Sequence, residues 1–159
     1  MKKPAGSVSN SAAFVTVLSI SPVPEDHASL ERILSRLESR LQVKSPWTIC
    51  ATSRLDSALP MLRKNAIPIV LSESDLLPGT WRDVLKETAS LPDPPHLIVS
   101  SRLADDYLWA EALNLGAYDV LAKPFDAQEV IRVLTSAWLR WNNRNLSRRI
   151  PPVVRKAAS

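Results

Sequence analysis

Five short apolar runs, each followed by a segment of helical periodicity, restrict this chain to a narrow set of folds. The runs are residues 13–20 (AFVTVLSI), Trp47 to Thr52, Ile67 to Leu71, Leu97 to Val99 and Tyr118 to Leu121. Each is short, apolar and bounded by turn residues, which is how a strand covered on both faces reads. Strands separated by helices pair in parallel, because a parallel crossover needs about a dozen residues or more of connection. Right-handed crossovers then place helices on both faces of one sheet. The expectation is a doubly wound α/β domain, (βα) five times, with ligand chemistry at the carboxyl ends of its strands.

The segments between the runs supply the helices. After the first run, Pro22 and Pro24 end the strand, and Asp26 is placed to cap a helix from about His27 to Leu41. Leu30, Ile33, Leu34, Leu37 and Leu41 share one face of that helix, with Glu31, Arg32, Glu38 and Arg40 on the other. Ser45-Pro46 reads as a turn. Leu55, Ala58, Leu59 and Leu62 mark a second helix, in which Pro60 predicts a kink or a short first segment. Pro78-Gly79 is a turn and Trp81 to Ala89 a short third helix. In the fourth helix the pattern runs from Leu103 through Trp109, Ala110 and Leu113, and Gly116 stops it after Leu115. Asp126 sits at the next N-cap, ahead of the stripe Val130, Ile131, Val133, Leu134, Ala137 and Trp138.

Bulk properties exclude several classes. At 159 residues and 45% hydrophobic residues the chain suits one domain with a sizeable core. No run approaches the roughly 18 apolar residues of a membrane span. Only Gly6, Gly79 and Gly116 are glycine, so there is no Gly-rich phosphate cradle, and no Ser/His/Asp set stands out. The expectation is therefore that the protein is not an enzyme in its own right. Cys50, the single cysteine, lies in the second strand and reads as a small core residue; one thiol fits a reducing compartment. His27 and His96 lie far apart with no ligand cluster around them, so no metal site is expected. The net charge of +4 comes from the end of the chain. Residues 140–159 carry Arg140, Arg144, Arg148, Arg149, Arg155 and Lys156 without an acid, and the other 139 residues balance at −2. These patterns divide the chain into a disordered leader (1–12), a domain (13–142) and a basic, disordered tail (143–159), in a cytoplasmic protein.

Residues 96–138 carry a resemblance. The spacing Ser100…Gly116-Ala117-x-Asp119…Lys123-Pro124-Phe125 resembles the second half of a response-regulator receiver domain, the chemotaxis-regulator-like family. The resemblance implies a flavodoxin-like five-stranded sheet in the order 2-1-3-4-5. It also implies a site in which two acids after the first strand and an Asp after the third hold a divalent cation, the Asp accepting a phosphoryl group. A Ser or Thr and a Lys bind the phosphoryl oxygens. Ser100 and Lys123 match the last two. The acidic pair falls on Ser19 and Ile20, neither of them an acid, and Mg²⁺ is not expected to bind. Glu25 and Asp26 come late in the sequence and suit a helix start better. The phosphoacceptor position falls on Glu73 when counted from the apolar core of the strand. Counting back from Pro78 gives Ser74 as an alternative, and Asp75 on the following loop is another.

Glu73 beside Lys123 suggests a permanent carboxylate–ammonium pair, either a mimic of the phosphorylated state or a structural remnant. The family's aromatic switch position is Val120, and the Lys123–Pro124 bond is expected to be cis by the same resemblance. Trp109, Tyr118 and Trp141 are the candidate interface residues; Trp138 reads as core, and Trp141, among Arg140, Asn142 and Asn143, reads as exposed. The leading expectation is a stand-alone pseudo-receiver in two-component phosphorelay signalling. It would bind a histidine kinase or a downstream effector, with a homodimer through the last two helices and strand open to it. The alternatives are an atypical phosphoacceptor using Glu73 or Asp75, and nucleic-acid association through the basic tail, which the lack of any nucleic-acid-binding signature disfavours.

Overall fold

The computed structural model describes residues 15–41 and 47–149. In chain order the elements are β1 (Val15–Ile20), α1 (Pro24–Leu41), β2 (Trp47–Thr52), α2 (Leu55–Lys64) and β3 (Ile69–Glu73). There follow α3 (Trp81–Ala89), β4 (His96–Ser101), α4 (Asp106–Leu115), β5 (Asp119–Ala122) and α5 (Ala127–Arg149). The five strands form one sheet in the order β2-β1-β3-β4-β5, every pair parallel. This is the doubly wound, flavodoxin-like architecture expected.

Successive side chains of a strand point to opposite faces, and the core divides accordingly. Leu18, Ile20, Val70, Leu97, Val99 and Val120 face one way and pack with Ala58 and Leu62 of α2, Trp81 and Val84 of α3 and Ala112 of α4. Val17, Ile69, Leu71, Ile98 and Leu121 face the other way, onto Leu30, Ile33 and Leu34 of α1 and Val130, Val133, Leu134 and Ala137 of α5. The apolar runs lack a polar alternation because both faces are covered. Cys50, on the edge strand β2, is half-buried against the first cluster.

Several expectations are corrected. Helix α1 begins at Pro24, whose fixed φ suits a first helical position, so Asp26 lies in the first turn and is not the cap. Strand β3 starts at Ile69 and runs on to Glu73: Pro68 has no N–H to give the ladder, while pairing with β4 continues as far as Glu73 opposite Ser100. Leu103 lies outside α4 and is exposed. The helix is instead capped by Asp105, whose Oδ1 accepts the Leu108 N–H at 2.9 Å, and it closes on Gly116 in the left-handed region, φ +113°. At the start of α5, Asp126 Oδ2 accepts the Glu129 N–H at 2.9 Å, as a cap should.

Trp141 was expected at the surface and is buried, at 8% exposure. It stacks on the half-buried Trp138 with ring centroids 6.0 Å apart. Residues 130, 134, 137 and 141 follow one helical face, so Trp141 extends the core stripe by another turn. Helix α5 runs through Arg149, which puts residues 143–149 of the expected tail inside a helix. The expected leader (1–12), the Ser45-Pro46 turn and residues 150–159 lie outside the described residues. Among the described residues, no helix is long and apolar enough to cross a membrane.

Candidate functional site

The carboxyl ends of β1, β3, β4 and β5 converge as doubly wound topology requires, and a buried cluster of charge lies there. Lys123 follows β5, and its Nζ reaches the Asp26 carboxylate at 2.7 Å and also contacts Glu73 Oε1. The three side chains are only 5%, 7% and 11% exposed. One ammonium thus serves two carboxylates, drawn from the α1 start, the β3 end and the β5 end. Ser21 Oγ donates at 2.6 Å to the same Asp26 Oδ2 that meets the ammonium, and the other Glu73 oxygen, Oε2, accepts from Ser74 Oγ at 2.9 Å and from the Asp75 N–H at 3.1 Å.

Ser19 and Ile20, onto which the resemblance placed an acidic pair, have other contacts. Ile20 is fully buried hydrocarbon. Ser19 Oγ lies 2.8 Å from His27 Nδ1, and His27 Nε2 lies 3.1 Å from the Ser21 carbonyl. A carbonyl only accepts, so Nε2 carries the hydrogen, and in the neutral ring Nδ1 accepts from the Ser19 hydroxyl. His27 thereby closes the amino-terminal side of the site, a contact no sequence motif announced.

Ser100 is buried directly across the β3–β4 pairing from Glu73. Ser74 is buried, with its N–H on the Ser100 carbonyl at 2.8 Å, while Asp75 is exposed on the loop and bridges to Thr80. That loop turns at Gly79, φ +94°, where an added Cβ would come within 2.8 Å of Asp83 Oδ2. Lys123–Pro124 is cis, as is Leu77–Pro78. Val120 is buried and packs in the core. Of the three proposed interface residues, Trp109 is exposed on α4, Tyr118 is half-buried with its hydroxyl bonded to Ser136 Oγ, and Trp141 is internal.

The residue that the sequence misplaced is Asp26. Read as a late acid at a helix start, it is in fact a member of the site, 97 residues from its partner Lys123. A locally plausible capping role concealed it. Glu25, next to it, points outward and pairs with Arg32.

These residues do not fit a divalent cation. A hard ion of this kind needs several oxygen ligands with anionic charge among them. Here Ile20 offers none, the Ser19 hydroxyl is engaged by His27, and the Asp26 and Glu73 carboxylates already neutralise an ammonium.

No protein-family model matches the chain, and no curated protein matches it. Solved structures do. The signal receiver domain of an HD domain-containing protein from Pseudomonas fluorescens is 23% identical, with a TM-score of 0.68 over 82% of this chain and 98% of that one. The receiver domain of a putative LuxO repressor from Vibrio parahaemolyticus is 17% identical, with a TM-score of 0.69 over 84% and 97%. A chemotaxis response regulator of Vibrio cholerae is 13% identical, with a TM-score of 0.65 over 78% and 98%. The likeness is one of fold, spanning nearly the whole of each of those chains.

Proposed function

We propose that this protein is a receiver-fold signalling module of the two-component type that acts through protein contacts and does not transfer a phosphoryl group. The observation that carries the proposal is the buried Lys123 ammonium held between Asp26 and Glu73. In a working receiver a lysine there is kept for the phosphoryl oxygens of an aspartyl phosphate. Here it is already neutralised, by Glu73 at the phosphoacceptor position and by Asp26 from α1. Glu73 has no uncommitted oxygen with which to attack a phosphodonor, since Oε1 meets the ammonium and Oε2 takes two hydrogen bonds.

The same contacts join β3, α1 and the β5–α5 turn as a phosphorylated site would, which favours a permanently set conformation over a switch. Val120, buried where the family carries a mobile aromatic, agrees with this. The surface offered to a partner, a histidine kinase or a downstream effector in the cytoplasm, is the outer side of α4, where Tyr107, Trp109, Leu113 and Leu115 are exposed. The experiment is incubation with acetyl phosphate and Mg²⁺ followed by intact-mass measurement. No phosphoryl adduct should form on the native chain or on Glu73→Ala and Asp75→Ala variants. An adduct on the native chain that either variant loses would overturn the proposal in favour of an atypical phosphoacceptor.

A further inference from the structure

At the opposite end of the sheet, a second group of polar side chains is unused by anything described so far. His96 opens β4, Gly116 to Asp119 lead into β5, and Arg132, Ser136 and Arg140 recur every fourth residue along α5. Together they line a hollow of about 460 Å³. Arg132, Ser136 and Arg140 also border a neighbouring hollow on the same helix, with Thr135 and Asn143 on its wall. Both arginines are exposed. Arg132 has only a loose contact with Glu129, at 3.9 Å, and no ion pair or hydrogen bond of Arg140 is seen among the described residues. Tyr118 and Ser136 present a hydrogen-bonded pair of hydroxyls, and the Tyr118 ring leans against His96 with centroids 4.8 Å apart. His96 Nε2 is shielded from solvent and has no hydrogen-bond partner. One acid, Asp119, lines the hollow, and its Oδ1 accepts the Val120 N–H. Two guanidinium groups against one carboxylate leave the hollow positive.

We infer that this hollow binds a small phosphorylated anion, a phosphate monoester, between Arg132 and Arg140, with the hydrogen-bonded Ser136–Tyr118 hydroxyl pair completing its contacts. Guanidinium groups pair with tetrahedral oxyanions through two parallel N–H donors each, a geometry a lysine cannot reproduce. The site is independent of the Lys123 cluster and of the signalling role proposed above.

The anion is also coupled to a proton. Burial, and then Arg144 and Arg140, hold His96 down at about 4. Tyr118 from the approach to β5, Asp119, and Arg132 from α5 are the other titratable and charged groups lining the hollow with it. An anion between the arginines offsets their field, so it raises the His96 value and binds more tightly as the pH falls.

The test is NMR titration of the full-length chain with sulfate, whose charge is constant over the range, and with phenyl phosphate, at ionic strength fixed with chloride. His27, at the other end of the sheet, serves as the internal control. Saturable shifts at Tyr118, Ser136 and Gly116 are expected, with the His96 midpoint moving up by about one unit and the His27 resonances showing no saturable response to the anion. Arg132→Ala and Arg140→Ala, both at exposed positions, should each weaken binding by about tenfold or more. A linear drift that chloride reproduces, or affinity unchanged in both variants, overturns the site. So does a DNA oligonucleotide or an anionic vesicle that binds with the His96 resonance unmoved while phenyl phosphate gives no saturation.

Discussion

Replacing Lys123 with Met tests the central cluster most severely. The substitution keeps the length of the side chain and removes the charge, leaving Asp26 and Glu73 facing each other in a buried space without a counter-ion. At 2.7 Å the Asp26 contact alone is worth about 6 kcal/mol gross at an effective dielectric of about 20. Desolvation of the three groups cancels much of this, and the net cost of deleting one partner of a buried pair is about 3–5 kcal/mol. A domain of this size has about 5–15 kcal/mol in all, so Lys123→Met should fold with little to spare. Urea unfolding followed by the fluorescence of the five tryptophans reads the loss. An internal comparison separates charge from shape. Adding Asp26→Asn and Glu73→Gln to Lys123→Met should recover most of the stability, because a neutral cluster no longer buries unpaired charge. A loss under about 1 kcal/mol, or a triple variant no more stable than the single one, would refute the account of the cluster.

The other predictions concern separate parts of the molecule. Trp141→Ala should cost about 3–5 kcal/mol, as for a buried aromatic, whereas a surface tryptophan would lose almost nothing in the same denaturation assay. The bidentate Arg82–Glu111 pair is exposed on the arginine side, and Glu111→Gln should change stability by less than about 1 kcal/mol; a larger shift in the urea midpoint would contradict this. His96 has a folded value of about 4 against 6.5 in the free side chain. The unfolded chain therefore takes up its proton first, and stability is lost as the pH falls from 6.5 towards 4. His96→Asn should flatten that limb of the profile, and an unchanged limb in thermal melts would show that other groups produce it.

What the sequence revealed and what it hid follow from the range of the interactions. Element order depends on local periodicity, and the limits of β2 and α3 were read correctly from residues 47–52 and 81–89 alone. Lys123 and Ser100 were singled out by the resemblance and Glu73 by counting along β3; all three lie at or next to the carboxyl ends of strands, where topology orders them. Asp26 was not, because its partner is remote and its neighbours Pro24 and Glu25 supply a sufficient local explanation of an acid at a helix start. Trp141 was misjudged for the opposite reason: its polar neighbours in sequence outweighed the helical spacing that carries Val130, Leu134 and Ala137 inward. Averaging over adjacent residues describes a segment, but in a helix adjacent residues point in different directions.

The Lys123 cluster also divides the chain unevenly. Both acids come from the first half, while the ammonium arrives only with the fifth strand. Cut within residues 90–95, the polypeptide would become two fragments of opposite need: the one with β1 to β3 would keep the cluster's two carboxylates, and the one with β4 and β5 its ammonium. Neither could seal its own interior. Mixed together they should reassociate with a preference that a Lys123→Met fragment lacks, so the same contact that ties α1 and β3 to the turn after β5 would serve as the recognition code for its halves.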